Sequence, residues 1–164
     1  MINSKPNVYV IAEAGVNHNG SLDLAFKLID AAASAGADAV KFQTFKTDKL
    51  VTKNATKAEY QIKTTNNKES AYEMLKSLEL TESDFEQLAK YANELNIDFL
   101  STAFDKDSLL FLVHQLHLKT LKIPSGEITN APLVLACARS KCNLILSTGM
   151  ATMDEIEEAL GVIA

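Results

Sequence analysis

Ala-Val-Lys-Phe-Gln-Thr, residues 39–44, is a short apolar run that carries Lys41 and Gln43 toward its carboxyl end. Flanked by apolar neighbours, it reads as a strand whose lysine is buried, and a buried ammonium demands a partner anion. Four further runs have the same build: residues 8–15, 98–104, 118–125 and 143–149, each apolar and each ending in polar or glycine-rich residues. Between them lie segments of helical period, such as Leu22, Ala25, Phe26, Ile29, Ala32 and Ala33 before Gly36, and Phe85, Leu88, Ala89, Ala92 and Leu95. Thr81-Glu82-Ser83-Asp84 and Thr152-Met153-Asp154-Glu155 match the capping box that opens a helix. Strand and helix therefore alternate, which implies a parallel sheet with right-handed crossovers, either an open doubly wound sheet or a closed (β/α)8 barrel. The strand ends decide between the two. Glu13, Lys41 and Gln43, Ser101 and Thr102, Lys122, Ser125 and Glu127, and Ser147 and Thr148 equip all five. An open sheet needs ligand groups at its switch point, whereas a barrel gathers every carboxyl end around one mouth. The α/β reading is a (β/α)8 TIM barrel.

Five units in 164 residues give about 33 residues each, so eight would require about 260, near the usual size of such a barrel. The expectation is that residues 1–164 supply the first five strand–helix units, the N-terminal part of a barrel whose remaining strands lie elsewhere. Composition is that of a globular chain, 47% hydrophobic and 23% charged. A net charge of −5 without a basic run argues against nucleic acid as a partner. No apolar stretch reaches membrane-spanning length and the first thirty residues lack a signal-peptide pattern, so the reading is a cytoplasmic protein without a membrane partner. Cys137 and Cys142 are five apart and read as reduced packing residues.

Lys41 and Lys122 repeat one situation two strands apart. Each could serve a structural ion pair with a buried carboxylate; both aimed into one mouth would instead suit a phosphate or carboxylate ligand. Thr102, Ser125, Ser147 and Thr148 add hydroxyl donors at the same level, and Gly126 and Gly149 allow backbone amides to approach an anion. Glu13 and Glu127 are the acids of the mouth, either charge balance or general bases. His18, in Asn-His-Asn-Gly, is a turn residue or a substrate contact, and His114 with His117 sits at a helix end on the outside, where metal ligation is the lesser reading. The polar stretch 45–70 is long for a loop inside a compact domain.

Five motifs in order carry a resemblance: Ile-Ala-Glu-Ala-Gly-Val-Asn-His-Asn-Gly at 11–20, Val-Lys-Phe-Gln-Thr at 40–44, Ser-Thr-Ala-Phe at 101–104, Lys-Ile-Pro-Ser-Gly-Glu at 122–127 and Leu-Ser-Thr-Gly-Met at 146–150. The chain resembles the sialic acid synthase family, the phosphoenolpyruvate-dependent synthases of N-acetylneuraminate, legionaminate and pseudaminate. The resemblance implies an N-terminal barrel, a C-terminal antifreeze-like domain absent from these residues, and a homodimer. It implies a transferase of carbohydrate biosynthesis that joins phosphoenolpyruvate to an N-acetylated amino-sugar aldehyde of the ManNAc type. Lys41, Thr102, Lys122, Ser125 and Ser147 would hold phosphoenolpyruvate, Glu127 would handle the attacking water, and Glu13, Gln43 and Tyr60 would contact the amino-sugar, with Phe104 also lining the substrate site. The implied cofactor is Mn²⁺ or Mg²⁺, with ligands outside this chain. Ala103 and Pro124 depart from the family pattern and leave the chemical groups in place.

Other readings are another phosphoenolpyruvate synthase or aldolase on the same barrel, and a truncated, non-catalytic phosphate-binding relative. Five barrel strands leave two open edges, so the isolated chain is expected to associate and to be inactive by itself.

Overall fold

A computed structural model describes residues 8–53, 55 and 70–164. Five strands, β1 (Ile11–Gly15), β2 (Ala39–Thr44), β3 (Asp98–Ala103), β4 (Thr120–Ile123) and β5 (Asn143–Leu146), form one sheet in the order β1-β2-β3-β4-β5. Every neighbouring pair is parallel. Helices alternate with them: α1 (Leu22–Ser34), α2 (Thr47–Leu50), α3 (Ala71–Leu78), α4 (Glu82–Glu94), α5 (Lys106–His114), α6 (Ala131–Arg139) and α7 (Met153–Ile163). A doubly wound sheet reverses its strand order at a switch point; this order never reverses.

The period of two sorts each strand into two faces. Val40 and Phe42 of β2, Phe99 of β3, and Leu121 and Ile123 of β4 join one buried cluster with Ala25, Ile29, Phe85, Leu88, Leu112, Leu133 and Val134 of the helices. Helices α1, α4, α5 and α6, with the end of α7, therefore cover the same face, as around the outside of a barrel, and the fold is a partial (β/α)8 barrel. Phe42 is fully buried, stacks on Phe99 at 5.5 Å, and contributes about 2–3 kcal/mol through its burial. The opposite residues, Lys41, Gln43, Leu100, Thr102 and Lys122, share the inner face through their register.

The helix starts follow the capping signals. Thr81 with Asp84 and Thr152 with Glu155 form capping boxes, and Ser70 with Glu73 forms a third that the sequence reading did not pick out. The helix-to-strand turns also repeat one geometry, with a residue of positive φ in each: Gly36 (75°), Asn96 (55°), His117 (54°) and Lys141 (61°). In the first two, the amides of Ala37 and Ile97 reach back to the carbonyls of Ala32 and Ala92, both at 3.1 Å, closing the helix end. His117 is thus a turn residue.

The long connection after β2 holds the short helix α2, which the sequence reading left as loop. Glu79, just after α3, accepts from the Thr47 amide at 3.0 Å and the Thr47 hydroxyl at 2.7 Å, and pairs with the Lys76 ammonium at 3.0 Å. Tyr72 donates to Asp48 at 2.7 Å, so α2 and α3 are clasped together. Gly20, with φ of 75°, seats the turn after β1 on α3: a Cβ there would come within 2.1 Å of the Ser77 carbonyl oxygen. Among the described residues no helix is long and apolar enough to cross a membrane.

Candidate functional site

Glu13 and Lys41 are register partners on β1 and β2, and their side chains form an ion pair. The pair is lopsided: the Lys41 side chain is 7% exposed and that of Glu13 is 54% exposed. The ammonium has lost its water while the carboxylate keeps most of its own. An incoming anion can therefore take Glu13's place at Lys41 without stranding a buried carboxylate.

Thr102 lies next in the row. It is the register partner of Gln43 on one side and of Lys122 on the other, and it is 1% exposed. Its Oγ1 has no hydrogen-bond partner among the described residues. Buried hydroxyls are nearly always satisfied by protein, water or ligand, so this one between two strand-borne polar groups is a donor open to a ligand atom. Lys122 is half-buried and has no ion pair among the described residues. Burial and the nearby Lys41 charge both push its pKa below the usual lysine value, opposed only in part by Glu13. Two cations repelling each other beside an unspent hydroxyl are an arrangement that suits an anion: a bound phosphate or carboxylate would relieve the repulsion and satisfy Thr102.

Glu13 and Gln43 both flank Gly15. A Cβ on Gly15, whose φ is 55°, would lie 3.4 Å from both Gln43 Nε2 and Glu13 Oε1, so the glycine leaves that corner of the mouth open. Ser125 and Glu127 occupy the 3-10 turn after β4, Ser125–Glu127, with the Glu127 amide bonded to the Pro124 carbonyl at 2.9 Å. Glu127 accepts from Asn130 Nδ2 at 2.8 Å. Ser147 follows β5, its amide on the Ile123 carbonyl at 3.1 Å, and is half-buried. Phe104, one residue past β3, is half-buried and meets Phe45 edge-on at 6.4 Å. Gly126 and Gly149 front open space.

Of the sequence-selected residues, the structure groups Glu13, Lys41, Gln43, Thr102 and Lys122 through contact, register and charge, and puts Phe104, Ser125, Glu127 and Ser147 at the carboxyl ends of their strands. Tyr60 lies outside the described residues. Ser101 faces the other way: it is buried on the helix side, its Oγ 2.7 Å from Thr44 Oγ1. His18 is fully buried in its turn, where Nδ1 accepts the Gly20 amide at 3.1 Å, and burial lowers its pKa. Its Nε2 has no partner. His114 and His117 are exposed, and no group of three or more His, Cys, Asp or Glu among the described residues could hold a metal ion. Cys137 and Cys142 are free thiols, and burial pushes Cys137 up to about 11, out of the reactive range. Asn130 escaped the sequence reading, although an Asn followed by Ala-Pro and an apolar run is a helix-start signal. Cavities of about 420 Å³ between α5 and α6 and about 430 Å³ at the amino ends of the strands include none of the cation cluster.

Comparison with known proteins gives the same direction. The NeuB family profile matches residues 28–164. The chain is 52% identical over 160 residues to N,N'-diacetyllegionaminic acid synthase of Legionella pneumophila, covering 98% of this chain and 45% of that protein. It is 53% identical over 154 residues to the enzyme of the same name from Campylobacter jejuni, covering 94% and 46%. The crystal structure of an N-acetylneuraminic acid synthetase from Leptospira borgpetersenii, in complex with citrate, matches with a TM-score of 0.78 at 34% identity, over 98% of this chain and 54% of that one. The chain spans about half the length of the curated relatives it matches. On the profile match and on the synthases it resembles across nearly its whole length, the chain belongs to the NeuB family.

Proposed function

We propose that the protein carrying this chain condenses phosphoenolpyruvate with an N-acetylated amino-sugar aldehyde of the ManNAc type, giving a nonulosonic acid and inorganic phosphate. The observation that carries the proposal is the buried Thr102 hydroxyl, orphaned among the described residues, between a desolvated Lys41 and a Lys122 that has no ion pair among them. In this reading Lys41, Thr102, Lys122, Ser125 and Ser147 hold the phosphate and carboxylate of phosphoenolpyruvate, while Glu13, Gln43 and Tyr60 contact the sugar and Phe104 lines the site. Carbon three of phosphoenolpyruvate bonds to the aldehyde carbon. Water then attacks carbon two, Glu127 takes its proton, and phosphate departs by C–O cleavage. A divalent ion, Mn²⁺ or Mg²⁺, belongs to the proposal with ligands outside these residues; the donors described here do not form its site, and no step above runs through it. Residues 1–164 would serve as the N-terminal part of a cytoplasmic homodimer's barrel, ahead of an antifreeze-like domain. The identity to legionaminic acid synthases favours a diacetamido sugar as acceptor.

The test is phosphate release and product analysis by the complete protein with phosphoenolpyruvate, a divalent ion and either ManNAc or a diacetamido sugar. Glu127→Gln should bind both substrates and lose about 10²–10⁴ in turnover, since reach is kept and the proton acceptor is lost. Phosphate binding without condensation of any sugar would replace this reading with that of a non-catalytic relative.

A further inference from the structure

Among the described residues, the Glu127 carboxylate is held by the side chain of Asn130. Asn130 is the N-cap of α6, its Oδ1 accepting the Leu133 amide at 3.3 Å. Its Nδ2 donates to Glu127 Oε2 at 2.8 Å. The two bonds fix which end of the amide is oxygen, because only the nitrogen can donate and only the oxygen can cap. The turn beneath is braced as well, with the Asn130 amide on the Glu127 carbonyl at 3.0 Å and the Val134 amide on the Asn130 carbonyl at 2.9 Å. Helix α6 itself is anchored by buried Leu133, Val134 and Cys137. Its first turn contains no acidic residue, so the carboxylate at this helix start is the one Asn130 brings there.

We propose that Asn130 is a positioning residue that holds the Glu127 carboxylate by Oε2, leaving Oε1 to meet the attacking water. The inference rests on the reading of Glu127 as the proton acceptor. A side chain free to rotate about three torsions would spend little time at the required place, whereas one oxygen tied to a core-anchored helix keeps the other within a narrow range. A threonine or serine at this position would cap the helix equally and lack the two-ended amide.

Asn130→Asp separates the two duties, because aspartate caps a helix as well as asparagine but has no N–H to donate. In the complete protein it should leave the melting temperature and both KM values near wild type and lower kcat by about 10- to 100-fold, the size of effect expected of a misplaced catalytic group. The same substitution in a Glu127→Gln background should lower kcat no further, because the effect passes through that carboxylate. An unchanged kcat in Asn130→Asp, or an equal drop in both backgrounds, overturns the positioning role while leaving Glu127 as proton acceptor. Wild-type turnover in Glu127→Gln instead overturns the reading of Glu127, and the inference with it. Asn130→Ala loses cap and donor together; if only its kcat falls while Asn130→Asp matches wild type, Asn130 is a helix cap and nothing more.

Discussion

Replacing Thr102 with valine should raise the stability of the empty protein and weaken its hold on phosphoenolpyruvate, two effects of opposite sign from one hydroxyl. Thr102 is 1% exposed in the middle strand of the sheet, and its Oγ1 has no hydrogen-bond partner among the described residues. Valine has nearly the same shape and suits a strand. Removing an unsatisfied buried hydroxyl relieves about 1–3 kcal/mol. In a domain of this size that corresponds to a rise in melting temperature of about 2–12 °C. Against this, a hydrogen bond to a charged phosphate or carboxylate contributes about 1.5–3 kcal/mol, so the Kd for phosphoenolpyruvate should rise by about 10- to 150-fold. Thermal melts with and without phosphoenolpyruvate report both quantities together, because the ligand-induced shift follows the ratio of ligand concentration to Kd. The valine protein should start from a higher melting temperature and gain less from ligand. A fall in the ligand-free melting temperature, with Kd unchanged by calorimetry, would refute the reasoning and show that the hydroxyl has a structural duty.

Lys41→Met should weaken phosphoenolpyruvate binding by about 2–5 kcal/mol while leaving sugar binding nearly intact, since it removes a desolvated charge partner. Its effect on folding should be small, because Glu13 is already more than half exposed and simply gains water; an unchanged Kd by calorimetry would remove Lys41 from the anion site. Burial alone would raise the Glu79 pKa, but the Thr47 amide and hydroxyl and the Lys76 ammonium outweigh it and hold the carboxyl below its usual 4.5. The unfolded carboxyl is then the more easily protonated, so the α2–α3 clasp contributes its full stability above 4.5 and loses it as pH falls through the lower folded value. Amide exchange at Thr47 should accelerate on acidification, and Glu79→Gln should abolish that dependence; exchange indifferent to pH-corrected acidification would contradict the clasp. Gly20→Ala should destabilise by more than about 2 kcal/mol, because the new methyl meets the Ser77 carbonyl and the backbone is left-handed, which denaturant unfolding would show.

Much of this was legible in the sequence because barrel strands announce themselves twice, by an apolar run and by a polar end. Residues 39–44 were bounded correctly, since Gly36 closes the helix before them and Phe45 opens a polar stretch. The runs at 8–15, 118–125 and 143–149 reach beyond β1, β4 and β5, because apolar residues precede the strands and the polar ones after them still resemble strand ends. Ser101 and Thr102 are the instructive pair. Both are small hydroxyl residues at a strand end, yet successive residues point to opposite faces, and only the register with Gln43 and Lys122 says which one lies in the mouth. The partner of Lys41 was likewise open between Glu13 and a ligand until β1 fell opposite β2. Asn130 was missed because its two roles lie along different axes: the helix start is a local signal, while the reach to Glu127 exists only once the 3-10 turn has folded it back.

The left-handed residues at Gly36, Asn96, His117 and Lys141 bear on how such a chain can diverge. Each sits where one strand–helix unit hands over to the next, and each asks the same thing of its backbone. Only the first uses the residue for which that conformation carries no steric penalty; the other three are tolerated because the helix before and the strand after leave the backbone no alternative. The joint is therefore specified by its surroundings rather than by its own side chain. At the three non-glycine places the turn holds its residue against a steric preference, so each stores a little strain that the packing on either side must carry. The orphaned Thr102 hydroxyl and the desolvated Lys41 ammonium lie toward the other end of the strands, away from these joints.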